Sequence, residues 1–356
     1  MKSLNPAILF LSLCAISFTF SNADTPRTSV NKEIRITGTK VISALLLKWE
    51  NHYQKTHANV SFKNSLSGNS SAIYGLDMRV ADIALLSRPI YPYERYGIYE
   101  RSWVYPQEIE VATGSINKLK QAPAYAIFVN EKNPIKSISL TQLDLIFGAQ
   151  RGGGWKALSW DESIAHDTSK NIRFWNQIAI LGDLGSKEIH TYGPANLGAG
   201  AISYFQFRVM HGGEMWNENL KEYAAYPKLM HDLALDEQGI AYGPVNYRVP
   251  HTKPIPVSED SSTQPFDLTL STLKNRTYPL FRAIYAYYTI DNEKTLITDD
   301  FGDPQVNEFL QFILSNEGQN CIEEEGSFIS LPQTVINEGI KKLASKQIPP
   351  EHSILE

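Results

Sequence analysis

Apolar residues along this chain switch repeatedly between the strand period of about two and the helical period of about 3.6, and that alternation sets a mixed α/β class before any motif is considered. Glu33 to Thr37 (EIRIT) alternates like a strand, and Val41 to Tyr53 carries apolar residues at helical spacing. Val60–Lys63 then reads as a strand, Ser70–Arg79 as a helix and Ala81–Leu86 as a buried strand. Further strands are predicted over Ile109–Ala112, Ala124–Val129, Gly239–Tyr242, Ile255–Val257 and Ala283–Thr289. Helices are predicted over Leu140–Ile146, Ile202–Met210, Tyr226–Leu235, Asn307–Ser315 and Val335–Ala344. Gly152 to Trp155 reads as a loop, and the polar stretch Ser258–Lys274 breaks both periods.

Lys2 precedes an uncharged run from Ala7 to Phe20, and Ser21-Asn22-Ala23 supplies small residues where a signal peptidase reads. This pattern is a secretory signal cut after Ala23, too short for a membrane span. Cys14 lies inside the apolar run behind Leu13, where a lipoprotein would carry a small residue, so the mature chain keeps Cys321 alone and has no internal disulfide. Residues 24–356 exceed one typical domain and suit two lobes.

The net charge of −5, spread without long runs of one sign, excludes general nucleic-acid binding, which needs a basic face. It leaves a small local anion site open. The 8 histidines are scattered, with no HExxH and no cysteine–histidine cluster at metal spacing. Gly148–Gly154 lacks the GK[ST] ending of a phosphate-binding loop, and no nucleophile sits in an elbow. No enzyme activity, metal or cofactor is expected.

Helices that follow short polar turns point to ligand contacts at the C-terminal ends of strands. Gly38-Thr39-Lys40-Val41 is the first such turn; Lys40 reads either as a cationic contact with three donors or as a solvated first-turn residue. Ser67-Gly68-Asn69-Ser70-Ser71 is the second, where hydroxyls serve as helix caps or as ligand groups. Ser87-Arg88-Pro89 is the third; Arg88 either clamps an oxyanion bidentately or pairs with an acid such as Glu94. Finally Tyr192–Ala201 (YGPANLGAGA) brings backbone N–H groups to a helix start, with Leu197, Ala199 and Ala201 where anion loops usually carry hydroxyls.

Over most of residues 33–345 the chain resembles the PstS-like family, the periplasmic substrate-binding proteins of phosphate ABC importers. The resemblance rests on ordered segments: TGTKVISALLLKWENHYQKTH, NSSAIYGLDMRVADIALLSRPI, FVNEKNP, LTQLDLIF, IHTYGPANLGAG, GIAYGPVNY, YPLFRAIYAYY and FLQFILSNEGQNCIEEEGSFISLP. It implies a two-lobe periplasmic-binding-protein fold with two crossing hinge strands, lobe 1 formed by 24–118 with 285–356 and lobe 2 by 119–284. It also implies an oxyanion held by helix N-termini and hydroxyls. Counting back from Trp49, the family's threonine falls on Lys40, next to Val41; Ser70 matches the anion-binding serine, with Ser71 as its companion. Ser87 and Arg88 stand where some relatives carry an aspartate. In the opposite wall, Gly198, Ala199, Gly200 and Ala201 offer backbone alone in place of the family's SGT-like run. Hydrogen bonds to charged groups contribute roughly 1.5–3 kcal/mol each, so weaker phosphate capture is expected from that wall.

The resemblance therefore implies a secreted or periplasmic monomer that closes on phosphate or a related oxyanion for ABC import or sensing, with a membrane permease as partner. The alternative is a divergent member with another ligand or none, acting through its surface in adhesion or signalling. Tyr91–Tyr105 and Tyr285–Tyr288 are the faces that would serve it.

Overall fold

A computed structural model of the chain describes residues 32–116, 118, 122–156, 159–194, 200–213, 215–289 and 303–345, with the backbone only at 200 and 201. The expected signal segment, 1–23, and Cys14 lie outside the described residues.

The first unit opens β1 (Lys32–Gly38), α1 (Ser43–Tyr53), β2 (Val60–Ser65), α2 (Asn69–Asp77), β3 (Ile83–Leu86), α3 (Pro92–Ser102) and β4 (Gln107–Thr113). The second holds β5 (Tyr125–Asn130), the short β6 (Ile138–Ser139), α4 (Leu140–Phe147) and a hairpin of β7 (Gly154–Lys156) and β8 (Ser159–Asp161). It continues through β9 (His190–Pro194), α5 (Gly200–Met210), β10 (Lys221–Tyr223), α6 (Tyr226–Ala234), β11 (Gly239–Pro244), β12 (Thr252–Ile255), β13 (Val257–Ser258) and α7 (Leu270–Lys274). β14 (Ala283–Tyr288) returns to the first unit, followed by helices Pro304–Leu314, Asn316–Glu325 and Gln333–Ala344.

Two five-stranded sheets result, ordered β2-β1-β3-β14-β4 and β10-β9-β11-β5-β12. They share one plan: three parallel strands, then an antiparallel strand between the third and the fifth. In each sheet the antiparallel strand is the one by which the chain arrives from the other. The two passages bond each other where they cross, Gly114 N–H donating to the Arg282 carbonyl at 2.7 Å and Tyr125 N–H to that of Leu280 at 3.1 Å. A side chain at Gly114 would collide with the Ala122 carbonyl, so the crossing needs glycine there.

Local chemistry accounts for the elements. Ile34 and Ile36 are buried in β1 and alternate with polar residues that are less buried, the period of a strand with one well-buried face. β3 is buried at every position because it lies between β1 and β14 with helices over it. Ser139 and Gln142 form a reciprocal capping box that starts α4. The first core packs Trp49 and Tyr53 against Phe309 and Ile313, and the Trp49 indole N–H donates to the Gly318 carbonyl at 2.8 Å. The second core stacks Phe205 on Tyr242 and sets Phe147 edge-on to both.

Departures from the expected pattern have physical causes; Gly154 and Trp155, read as loop, open the β7–β8 hairpin. α3 escapes the periodicity because Pro92 and Ile98 are its buried residues and its other apolar groups are tyrosines. Asn316–Glu325 buries Gly318 and Gln319 beside Cys321 and Ile322, too few aliphatic positions to show a stripe. Tyr192 to Pro194, read as the opening of a glycine loop, belong to β9, paired with Lys221–Tyr223. Tyr287 and Tyr288 are buried in β14 and Tyr285 is half-buried, so that stretch is sheet interior rather than an interaction face. Cys321 is buried and unpaired. Among the described residues, no helix is long and apolar enough to cross a membrane.

Candidate ligand site

Because β1 and β3 run parallel, their C-terminal ends share one edge of the first sheet, and three turns are knitted together there. Thr39 N–H donates to the Leu85 carbonyl at 2.9 Å, and Gly68 N–H to that of Gly38 at 3.0 Å. Ser87 N–H donates to Asn69 Oδ1 at 2.9 Å, and Asn69 Nδ2 reaches Ser87 Oγ at 3.3 Å.

Two helical segments begin at this edge. Thr39 is extended and leads into a 3₁₀ turn, Lys40–Ile42, that continues as α1; its side chain caps nothing. α2 follows Gly68, whose φ of 143° and ψ of 172° lie in a region kept essentially for glycine, and it too lacks a side-chain cap. The first N–H groups of such starts are left for a ligand or water, and the dipole there favours negative charge.

The expected contact residues fall into four groups. Lys40 is exposed on the first turn, whereas Val41 packs against the first core. Ser70 is exposed at the start of α2 and its hydroxyl bonds no described residue, while Ser71 Oγ donates to the Gly68 carbonyl at 3.0 Å and so belongs to the turn. Ser87 is buried at the end of β3, in the middle of the junction. Arg88 corrects the clamp reading: at 2% exposure its guanidinium donates to both Glu94 carboxylate oxygens, at 2.8 and 2.6 Å, and to the Pro89 carbonyl at 2.9 Å. It also stacks 3.7 Å from the Tyr91 ring centroid. Its charge is met inside the fold, the alternative the sequence left open.

Gly198 and Ala199 lie outside the described residues; Gly200 and Ala201 form the backbone start of α5. That helix comes to the same edge from the other unit. Tyr91 stacks on Phe207 with ring centroids 4.7 Å apart, and the Tyr204 hydroxyl donates to the Phe281 carbonyl. Thr39, Asn69 and Arg282 were not singled out by their residue types; Arg282 Nη2 donates to the Ser87 carbonyl at 2.9 Å.

Two α/β units of one plan, joined by two bonded passages and meeting at strand ends where helices begin, define a two-lobe binding-protein fold. Residues 23–317 match the family described as the PBP superfamily domain, and the chain belongs to that superfamily. By sequence it is similar to the phosphate-binding protein PstS of Pseudomonas aeruginosa, 24% identical over 314 residues that cover 88% of each chain. Its fold is similar to PstS from Borrelia burgdorferi, with a TM-score of 0.54, 18% identity, and 85% of this chain covered against 99% of that one. An ABC-type phosphate transport receptor from Vibrio cholerae aligns with a TM-score of 0.52, 18% identity, and coverage of 84% and 100%.

Proposed function

We propose that this chain is a solute-binding protein that takes phosphate or a related oxyanion into the crevice between its units, a binding rather than a catalytic role. The observation that carries the reading is the junction of Thr39, Asn69 and Ser87, where two helical starts without side-chain caps meet a buried hydroxyl. Membership of the PBP superfamily and a sequence relative named for phosphate binding support it. The division into lobes of 24–118 with 285–356 and of 119–284 is part of the proposal, as are export by residues 1–23, a monomeric state and a membrane permease that recognises the closed form.

Calorimetric titration of the ligand-stripped protein with inorganic phosphate, sulfate and an organic phosphate tests it. Saturable phosphate binding that weakens about tenfold or more in Ser87→Ala supports the reading. Absence of binding to any of the three rejects it in favour of a surface role.

A further inference from the structure

Three of the chain's well-buried arginines have a carboxylate partner: Arg88 has Glu94 at 2.6 Å, Arg276 has Glu110 at 2.6 Å, and Arg151 has Asp144. Arg282, only 5% exposed, has none among the described residues. Its Nη2 donates to the Ser87 carbonyl at 2.9 Å and stands 3.5 Å from Ser87 Oγ. Nε is buried without a hydrogen-bond partner. The rings of Tyr125 and Tyr204 lie 5.9 and 5.6 Å from Cζ, at the outer limit of cation–π attraction.

A guanidinium does not shed its proton in a protein, and an isolated buried charge is strongly unfavourable until something of opposite sign meets it. The fold thus holds a permanent cation between Ser87 of the first unit and Tyr204, early in α5 of the second. Its own carbonyl accepts the Gly114 N–H at the crossing. We propose that Arg282 is the cationic ligand group of the crevice, offering the free donors of its guanidinium to a tetrahedral oxyanion beside the Ser87 hydroxyl, while Arg88 takes no part. The inference rests on the oxyanion-binding reading above. A ligand held by Arg282 is held at the hinge itself.

Inorganic phosphate and sulfate are titrated into the ligand-stripped full chain and into Arg282→Gln, Arg282→Lys and Arg88→Gln. Phosphate affinity is expected to fall about 100-fold in Arg282→Gln and about tenfold in Arg282→Lys, since lysine keeps the charge and loses the fork. Without phosphate, Arg282→Gln is expected to melt at or above the wild-type temperature, because it removes an unmet charge. A lower melting temperature or failure to fold, with or without unchanged phosphate affinity, means that the chain itself supplies a counter-charge, and overturns the proposal. An affinity loss in Arg88→Gln equal to that in Arg282→Gln overturns it as well. If the wild-type chain takes up neither anion, the crevice reading and this inference fall together; if it binds and Arg282→Gln binds equally, this inference alone falls.

Discussion

The side-chain carbonyl of Asn69 accepts the backbone N–H of Ser87 at 2.9 Å, and through that bond the start of α2 is fixed to the end of β3. Asn69→Ala is expected to cost about 1–3 kcal/mol of stability, since it leaves a buried N–H unmet. It should also weaken phosphate binding. Asn69→Asp retains the acceptor and adds a negative charge beside the crevice, so it is expected to keep more stability than Asn69→Ala but lose more affinity. Urea denaturation and calorimetry on the two variants separate these effects.

Gly68 holds φ at 143°, where a side chain is strained. Gly68→Ala is expected to destabilise the chain by about 1–3 kcal/mol and to re-aim the first turn of α2. The check is a joint loss of melting temperature and phosphate affinity. A loss of stability alone would show that α2 does not contribute to the crevice.

The Arg88–Glu94 pair is buried, and Glu94 also accepts the Tyr91 N–H at the start of α3. Removing one partner leaves a buried charge, so Glu94→Ala is expected to cost about 3–5 kcal/mol. The double change Arg88→Met with Glu94→Leu should recover much of that loss, and a double-mutant cycle by chemical denaturation measures how much.

Glu50 is 5% exposed in the first core, with Asn64 Nδ2 donating to Oε1 at 2.7 Å. Burial is the larger influence and raises its pKa above the ordinary 4.5, against the opposing Asn64 bond. Between its unfolded and its raised folded pKa the folded chain binds more protons than the unfolded one, so this group's contribution to stability falls as pH rises through that window. Glu50→Gln is expected to abolish that part of the slope and to stabilise the protein at neutral pH. Denaturation midpoints measured from about pH 4.5 to about pH 7 provide the check.

Cys321 is buried, and burial raises its thiol pKa. A thiolate-specific reagent is expected to label the native protein only at the rate of local or global opening, and to label the denatured protein at once. Rapid labelling under native conditions would contradict the packing of Asn316–Glu325.

The parts of this fold that can be read along the chain are those whose pattern is local. β1 alternates, α1 repeats at helical spacing, and the buried run of β3 announces a central strand. α3 and Asn316–Glu325 are hidden because tyrosines, a glycine and a glutamine do their packing. In the site, the turns carrying Ser70 and Ser87 are visible as polar breaks before helices. Asn69 is not, because its role is a bond to a residue on another strand. Arg282 is hidden for the opposite reason: its distinguishing feature is the carboxylate partner it lacks among the described residues, and missing partners leave no mark in a sequence. The competing reading of Arg88 could be posed from Glu94 six positions on, but only three dimensions decide between an acid of the chain and an acid from solution.

The order in which the chain is synthesised gives β14 a significance of its own. β3 and β4 are complete by Thr113, but the strand that must lie between them begins only at Ala283, whereas every strand of the second sheet has emerged by Ile255. During translation the second sheet can therefore close while the first remains two fragments with open edges, the condition under which strands seek the wrong neighbours. A nascent chain stalled or cut before Tyr288 would carry one finished unit and one aggregation-prone half. The first sheet is complete only when that last strand takes its place between β3 and β4.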